Sequence, residues 1–288
     1  MYLGGYSVTL LSYAAIYLIW GSTFLAIRLA IDSIPPLLMM GIRCVAAGAL
    51  LLAWAAAHGE RTGWRAWRQA IVAGALMFGC AYGALAWAET RLASGVAALF
   101  VATLPLWMTL FDCAQRRETP AARTVVGLTV GLAGVVLLLA RTGTTTFALV
   151  PAAVVVLGEV AWAAGALYAR RLPQTLALNA GMPLLTGGVF LVAASYATRE
   201  FRQFDPHAVS VVSAAALAYL IVFGSIVAFS AYAWLMQVAP AARVGTHAYV
   251  NPLIAVVLGC TVAGEPFTAA IATSSLVIAA GVALVLAS

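Results

Sequence analysis

The sequence predicts an all-α membrane protein in which ten transmembrane helices form two inverted five-helix repeats. Three observations point there: the composition, the length of the apolar runs, and a register that recurs after half the chain. Hydrophobic residues make up 64% and charged residues 8% of the 288 positions, against roughly 45–50% and about 25% in soluble domains. The mean hydropathy is +1.03. A helix needs about 20 apolar residues to cross a hydrocarbon core of about 30 Å, and ten such runs fit between the charged or Pro/Gly-bearing breaks. Backbone groups in lipid must bond within their own segment or in a closed barrel. These runs show no period-two alternation, so they are helices.

The first run, 8–31, follows an opening with no basic residue and is too long for a removable apolar region, so it is a retained helix rather than a signal peptide. Pro36 opens the second, 36–57. The third, 69–90, comes after Arg61, Arg65 and Arg68, and the link to the fourth, 92–114, is so short that a hydropathy window could merge the two. Arg116 and Arg117 separate the fourth run from the fifth, 121–140. The second five span 147–169, which Pro151 opens near one face, then 175–197, 209–236, 241–262 and 267–287.

All 15 basic residues are arginine, and the net charge is +6. Nine of them (Arg61, Arg65, Arg68, Arg116, Arg117, Arg123, Arg170, Arg171 and Arg243) fall on the side that holds both termini; Arg91, Arg141, Arg199 and Arg202 fall opposite. Positive residues stay cytoplasmic, so both termini are expected in the cytoplasm. The basic balance is an orientation signal and excludes nucleic-acid binding as its explanation. Cys44, Cys80, Cys113 and Cys260 all lie in spans with no CxxC pair, which argues for buried free thiols and against disulfides or a zinc site.

A shift of 147 residues aligns Ala86-Trp87 with Ala233-Trp234, Pro105-Leu106 with Pro252-Leu253, Cys113 with Cys260 and Glu118 with Glu265. A shift of 142 aligns Trp20 with Trp162 and Arg28 with Arg170. The chain is therefore expected to comprise two units, residues 1–145 and 146–288. Five is odd, so the second unit starts on the opposite side of the membrane, and repeats of this kind place substrate near the midplane between them.

The stretch YAWLMQVAPAARVGTHAYVNPLIAVVLGCTVAGEPFT, residues 232 to 268, resembles the second repeat of EamA-type proteins of the drug/metabolite transporter superfamily. The alanine-arginine turn, the proline of the ninth helix and the Gly-Glu-Pro link come in the same order. ALAWAETRLASGVAALFVATLPLW echoes them in the first half, although RRETP replaces the usual Gly-Glu form before the fifth helix. The resemblance spans essentially the whole chain from Trp20-Gly21 onward and implies a ten-helix exporter. The aromatic richness makes the chain most similar to the amino-acid exporters of that family, including those that move aromatic amino acids.

Glu159 lies eight residues past Pro151, which puts it roughly 12 Å deep, near the membrane centre. A carboxylate there costs several kcal/mol, so it is neutral, paired or facing a water-filled cavity. Helical spacing sets Val155, Glu159, Trp162 and Ala166 on one face, and Tyr13, Tyr17, Trp20 and Phe24 form the matching stripe on the first helix. GEVAWAAG is also similar to the first helix of small multidrug exporters, whose membrane glutamate exchanges a proton for substrate. Three roles stay open for Glu159: proton exchange, pairing with the ammonium of an amino acid, or a protonated contact between helices.

Trp54, Trp64 and Trp67 are expected in the interfacial belt. Trp20, Trp162 and Tyr82 lie nearer span centres, where a polar ring edge needs a partner, and are candidates to line a cavity. Phe229, Tyr232 and Met236 share a helix face that reads mainly as core, with Tyr232 the candidate for substrate contact. Of the ninth-helix cluster His247, Tyr249 and Asn251, the last two are favoured as site residues and His247 as a contact between helices. Pro105 and Pro252, at matched positions, are candidate hinges. Gly79 and Gly83, and Gly127 and Gly131, have spacings that permit close helix approach. Arg43 is read mainly as structural, with a substrate carboxylate as its other possible partner.

No Walker A, HExxH or GxSxG pattern occurs, so neither ATP-driven transport within this chain nor a standard hydrolase is supported. The expectation is no enzyme, no cofactor and no metal. The resemblance implies an inner-membrane secondary transporter that exports amino acids and related small metabolites, with lipid and a small-molecule substrate as partners and a monomer compatible with that role. The alternative is a proton-coupled multidrug antiporter that uses Glu159.

Overall fold

The computed structural model describes residues 2–89, 91–92, 94–140, 148–172, 175–262 and 268–288. Arg141, Glu265 with its Gly-Glu-Pro link, the boundary at 145/146 and the side chain of Cys260 lie outside the described residues. Every described element is helical. In the first half these are α1 (Tyr2–Ala30), α2 (Pro36–Ala57), α3 (Trp64–Gly74), α4 (Gly83–Glu89), α5 (Ser94–Val101), α6 (Leu104–Arg116) and α7 (Ala122–Ala140). In the second they are α8 (Leu149–Ala169), α9 (Leu176–Ala197), α10 (Val211–Tyr219), α11 (Ala228–Val238), α12 (Ala241–Gly245), α13 (His247–Val262) and α14 (Ala269–Leu286). Eight-residue π-helical segments join α3 to α4 (Ala75–Tyr82) and α10 to α11 (Leu220–Val227).

Among the described residues six helices are long and apolar enough to cross a membrane: Ser7–Ala30, Pro36–Ala57, Trp64–Ala88, Leu149–Ala169, Leu176–Ala197 and Val211–Val238. Ala122–Leu138 and Ile271–Leu286 are shorter apolar helices. The expected spans 92–114 and 241–262 are each broken in two, at Ala102–Thr103 and at Thr246. Large apolar side chains such as Leu10 and Val211, 70% and 85% exposed, point outward. That outer surface suits lipid rather than water.

Polar side chains fix where several helices start. Pro36 begins α2 where its missing N–H costs nothing, and the next two N–H groups, of Leu37 and Leu38, donate to Glu200 Oε2 at 2.9 and 3.4 Å. A carboxylate from the link after α9 thereby sits at the positive end of α2. Ser210 accepts from the Ser213 N–H at 3.1 Å to cap α10, and Thr268 accepts from the Ile271 N–H at 3.3 Å to cap α14.

The most extensive helix contacts are those of α2 with α9 and of α7 with α14. Glycines permit both, because lipid supplies no hydrophobic drive between helices and close backbone approach must do so. A Cβ on Gly48 would lie 2.5 Å from the Leu185 nitrogen, and one on Gly188 2.6 Å from that of Val45. A Cβ on Gly281 of α14 would run into the Gly131 backbone, so the expected Gly127 and Gly131 pair does mediate a crossing. Gly79 and Gly83 do not: their Cβ positions meet only Phe190 at 3.4 Å and Leu191 at 4.0 Å, ordinary contact. α1 packs on α10, α11 and α13, whereas α8 packs on α3, α4 and α6 with the Ala75–Tyr82 segment between. The first helix of each half is thus embedded in the other half.

The expectation of uniformly buried cysteines fails. Cys44 is buried, Cys113 half-buried and Cys80 exposed, and all three are free thiols. Position in a span fixes depth, but the helix face decides burial.

Candidate functional site

The face of α8 develops as its spacing requires: Val155, Glu159, Trp162 and Ala166 are all buried. Opposite stands α1, and between the two lies a cavity of about 660 Å³, its open mouth included. Trp20, Thr23, Phe24 and Ile27 of α1 form one wall, Glu159 and Trp162 another. Met40 and Arg43 of α2, Tyr82 and Leu85, Val101 and Leu104, and His247 and Asn251 of α13 complete it.

Aromatic rings make its floor. Trp162 stacks on Tyr82 with centroids 5.4 Å apart and meets Trp20 edge-on at 6.3 Å. Phe78, Phe229 and Tyr232 pack behind Trp162, at 5.6, 6.5 and 6.0 Å. Each such pair contributes about 0.5–1.5 kcal/mol beyond its burial. Both indole N–H groups are satisfied: Trp20 Nε1 donates to the Gly224 carbonyl at 2.9 Å and Trp162 Nε1 to the Tyr232 hydroxyl at 3.0 Å. Gly224 belongs to one π-helical segment and Tyr82 to the other. The widened turns, which often mark functional sites, supply a carbonyl and a ring to the same cavity.

The charged groups are less well matched. Glu159 is 7% exposed, and no hydrogen bond or ion pair joins it to another described residue. Arg43 is 2% exposed; its Nε donates to the Ser225 hydroxyl at 2.7 Å, Nη1 contacts Met40 Sδ at 3.9 Å, and its guanidinium lies 5.7 Å from the Tyr82 ring centroid. Asn251 Oδ1 is buried without a hydrogen-bond partner among the described residues. His247 donates from Nδ1 to the Val244 carbonyl at 2.9 Å and faces the Trp20 ring at 4.8 Å. Among the described residues no cluster of His, Cys, Asp or Glu could hold a metal ion.

The cavity is shut at one end. On α1 its lining residues come after Tyr17, and the Tyr17 hydroxyl bonds that of Thr246 at 2.6 Å. On α8 they come before Arg170, whose guanidinium bonds Asp112 at 2.7 Å, the Met236 carbonyl at 2.8 Å and the Ala239 carbonyl at 3.3 Å. Asp112 also pairs with Arg116 at 3.3 Å.

The expected site residues therefore divide. Trp20, Tyr82, Glu159, Trp162 and Asn251 line one cavity. Tyr17 and Tyr232 do not; Tyr17 belongs to the closed end, and Tyr232 supports Trp162 from behind and lines a smaller cavity with Arg170. Tyr249 is elsewhere, packed with Leu128 and Ile278, its hydroxyl donating to the Leu128 carbonyl at 3.0 Å. In its place His247 lines the cavity with Asn251, because residues four apart share a helix face while residues two apart point away from each other. Arg43, read mainly as structural, lines it as well. The matched prolines differ in setting: Pro105 follows the break that begins α6, with the Thr109 hydroxyl bonded to its carbonyl at 2.7 Å, whereas Pro252 sits within an unbroken α13. Trp54 and Trp64 are exposed and outside the cavity, as belt residues would be.

Comparison with known proteins adds three findings. The EamA-like transporter family matches the chain twice, over residues 8–140 and 149–287. The uncharacterized inner membrane transporter YedA of Escherichia coli (strain K12) is 36% identical over 254 residues, 87% of this chain and 81% of its own length; the uncharacterized transporter YvbV of Bacillus subtilis (strain 168) is 24% identical over 280 residues, 96% and 91%. One protein of known crystal structure superposes with a TM-score of 0.79 at 25% identity, covering 96% of both chains.

Proposed function

We propose, from the premise that this chain belongs to the EamA-like transporter family, that it is a secondary exporter of amino acids, aromatic ones included, and of related small metabolites. Substrate occupies the cavity between α1 and α8 and is released by alternating access between two inverted repeats, residues 1–145 and 146–288, each contributing five of ten membrane crossings. The protein resides in the inner membrane with both termini cytoplasmic, the side on which the arginine-rich links fall. The double family match, the reciprocal embedding of α1 and α8, and the paired π-helical segments support the two-repeat reading.

One observation carries the substrate reading: Glu159, buried and unpartnered among the described residues, in a membrane-centre cavity walled by Trp20, Tyr82 and Trp162. A carboxylate is kept at that depth for a cationic group or a proton, and aromatic walls suit an apolar or aromatic side chain. The alternative, a proton-coupled multidrug antiporter, draws on the same residue.

Uptake and counterflow of radiolabelled amino acids in proteoliposomes, with and without an imposed pH gradient, separates the two. The amino-acid reading expects counterflow of at least one amino acid without a gradient and its loss in Glu159→Gln. Drug-dependent proton flux with no amino-acid counterflow would establish the antiporter instead.

A further inference from the structure

The cavity holds two ionisable groups of opposite sign, a guanidinium and a carboxyl, that are not paired with each other. Arg43 and Glu159 both line it, both are more than nine-tenths buried, and neither has an ion-pair partner within 4.0 Å among the described residues. Removing an unpaired ion from water costs several kcal/mol, so the Arg43 guanidinium is a standing penalty unless the cavity brings it a partner, and Glu159 ionises there only when a cationic group arrives. A site built for a simple cation has no use for a buried guanidinium in its wall, and one built for an anion has none for a buried carboxylate.

Arg43 is also held ready. Ser225 takes its Nε, the Tyr82 ring lies beside its plane, and Gly224 leaves room for the guanidinium, since a Cβ there would come within 3.0 Å of Nη2. A guanidinium has five N–H donors in a fixed fork; with Nε on Ser225 and Nη1 against Met40 Sδ, donors remain. The Tyr82 hydroxyl interacts with Arg43, and the other side-chain acceptors in the cavity include the Glu159 carboxyl and the unpartnered Asn251 Oδ1. Tyr82 touches Arg43 on one side and stacks on Trp162, the neighbour of Glu159 on the α8 face, on the other.

We propose, resting on the amino-acid reading above, that Arg43 is the carboxylate anchor and Glu159 with Asn251 the ammonium anchor of one site, which makes the substrate class zwitterionic α-amino acids. A zwitterion supplies both missing partners at once, with its charged groups two bonds apart, and leaves the side chain to the aromatic walls. Its amide or ester lacks the carboxylate and strands Arg43; its deaminated acid strands Glu159. Sites that hydrogen-bond a substrate group reject analogues lacking it far more strongly than apolar pockets reject a change of size.

The test uses the full chain in detergent and measures binding of radiolabelled L-phenylalanine with competition by L-phenylalanine, L-phenylalaninamide and 3-phenylpropionate. The unaltered protein is expected to prefer phenylalanine at least tenfold over either analogue. Arg43→Gln should abolish the preference over the amide while leaving amide binding within threefold; Glu159→Gln should abolish the preference over 3-phenylpropionate. An unaltered protein that binds the amide as tightly as phenylalanine overturns the proposal without any variant, so a failure of Arg43→Gln to fold leaves it decidable. Equal weakening of phenylalanine and amide in a folded Arg43→Gln protein also overturns it, since a tie to Ser225 alone would act that way. Binding of phenylalanine with no charge discrimination defeats this assignment but spares the exporter reading; no binding or counterflow of any of the twenty amino acids defeats both.

Discussion

The two ends of the cavity are unequal although the residues there correspond. Arg170, which caps the C-terminus of α8, is fastened to Asp112 and to the Met236 and Ala239 carbonyls. Arg28 holds the matching place near the end of α1, yet it is exposed and makes no ion pair with another described residue. Tyr17 and Thr246 join α1 to the break before α13. Related sequences at the two ends thus take two states in one structure. The proposed alternating access would use this difference: the closed end rests on a few exchangeable polar contacts, while the glycine crossings of α2 with α9 and α7 with α14 are too close to slide freely.

The comparison is broken most severely by Arg170→Gln. It removes the ion pair and both carbonyl bonds from a partly buried position, worth about 3 kcal/mol, or on the order of 100-fold in the balance between closed and open. The readout is labelling of Ala166→Cys, behind the closed end, by a membrane-impermeant maleimide in a protein lacking its native cysteines; labelling should rise steeply. Asp112→Asn leaves the carbonyl bonds in place, so a rise of roughly tenfold in the same labelling rate is expected. Tyr17→Phe removes one hydroxyl bond, about 1 kcal/mol, and should raise it about fivefold. Arg28→Gln should leave labelling of Ala166→Cys within about twofold, because nothing at the closed end depends on that residue. An effect as large as that of Arg170→Gln would show the two ends to be coupled in this state.

Much of this architecture was legible in the apolar runs, because spanning length is a strong constraint and the spacing of Val155, Glu159, Trp162 and Ala166 fixes one face of α8. The break at Ala102–Thr103 was not, since apolar residues flank it on both sides, and neither was the one at Thr246, where Arg243, Thr246 and His247 read as polar residues within a continuous span. Nor were the π-helical segments: their sequences, ALMFGCAY and LIVFGSIV, are as apolar as any helix, and only tertiary contacts select the wider turn. The α2–α9 crossing did leave a trace, since Gly41 and Gly48 and their partners Gly181 and Gly188 recur at a spacing of seven residues. On α13, pairing Tyr249 with Asn251 set aside the helical period that pairs Asn251 with His247. The place of Arg43 in the cavity wall was not legible either, because a sequence cannot show that no carboxylate meets it.

The cavity between α1 and α8 is the proposed substrate site. The most direct measurement places a cysteine at Thr23, a near-isosteric change in its wall, in protein lacking native cysteines, and follows maleimide labelling with and without a transported amino acid. Labelling is expected from the open end, the amino acid should suppress it at least fivefold, and the suppression should be lost when Glu159→Gln is added. Labelling unchanged at concentrations that saturate counterflow would contradict it.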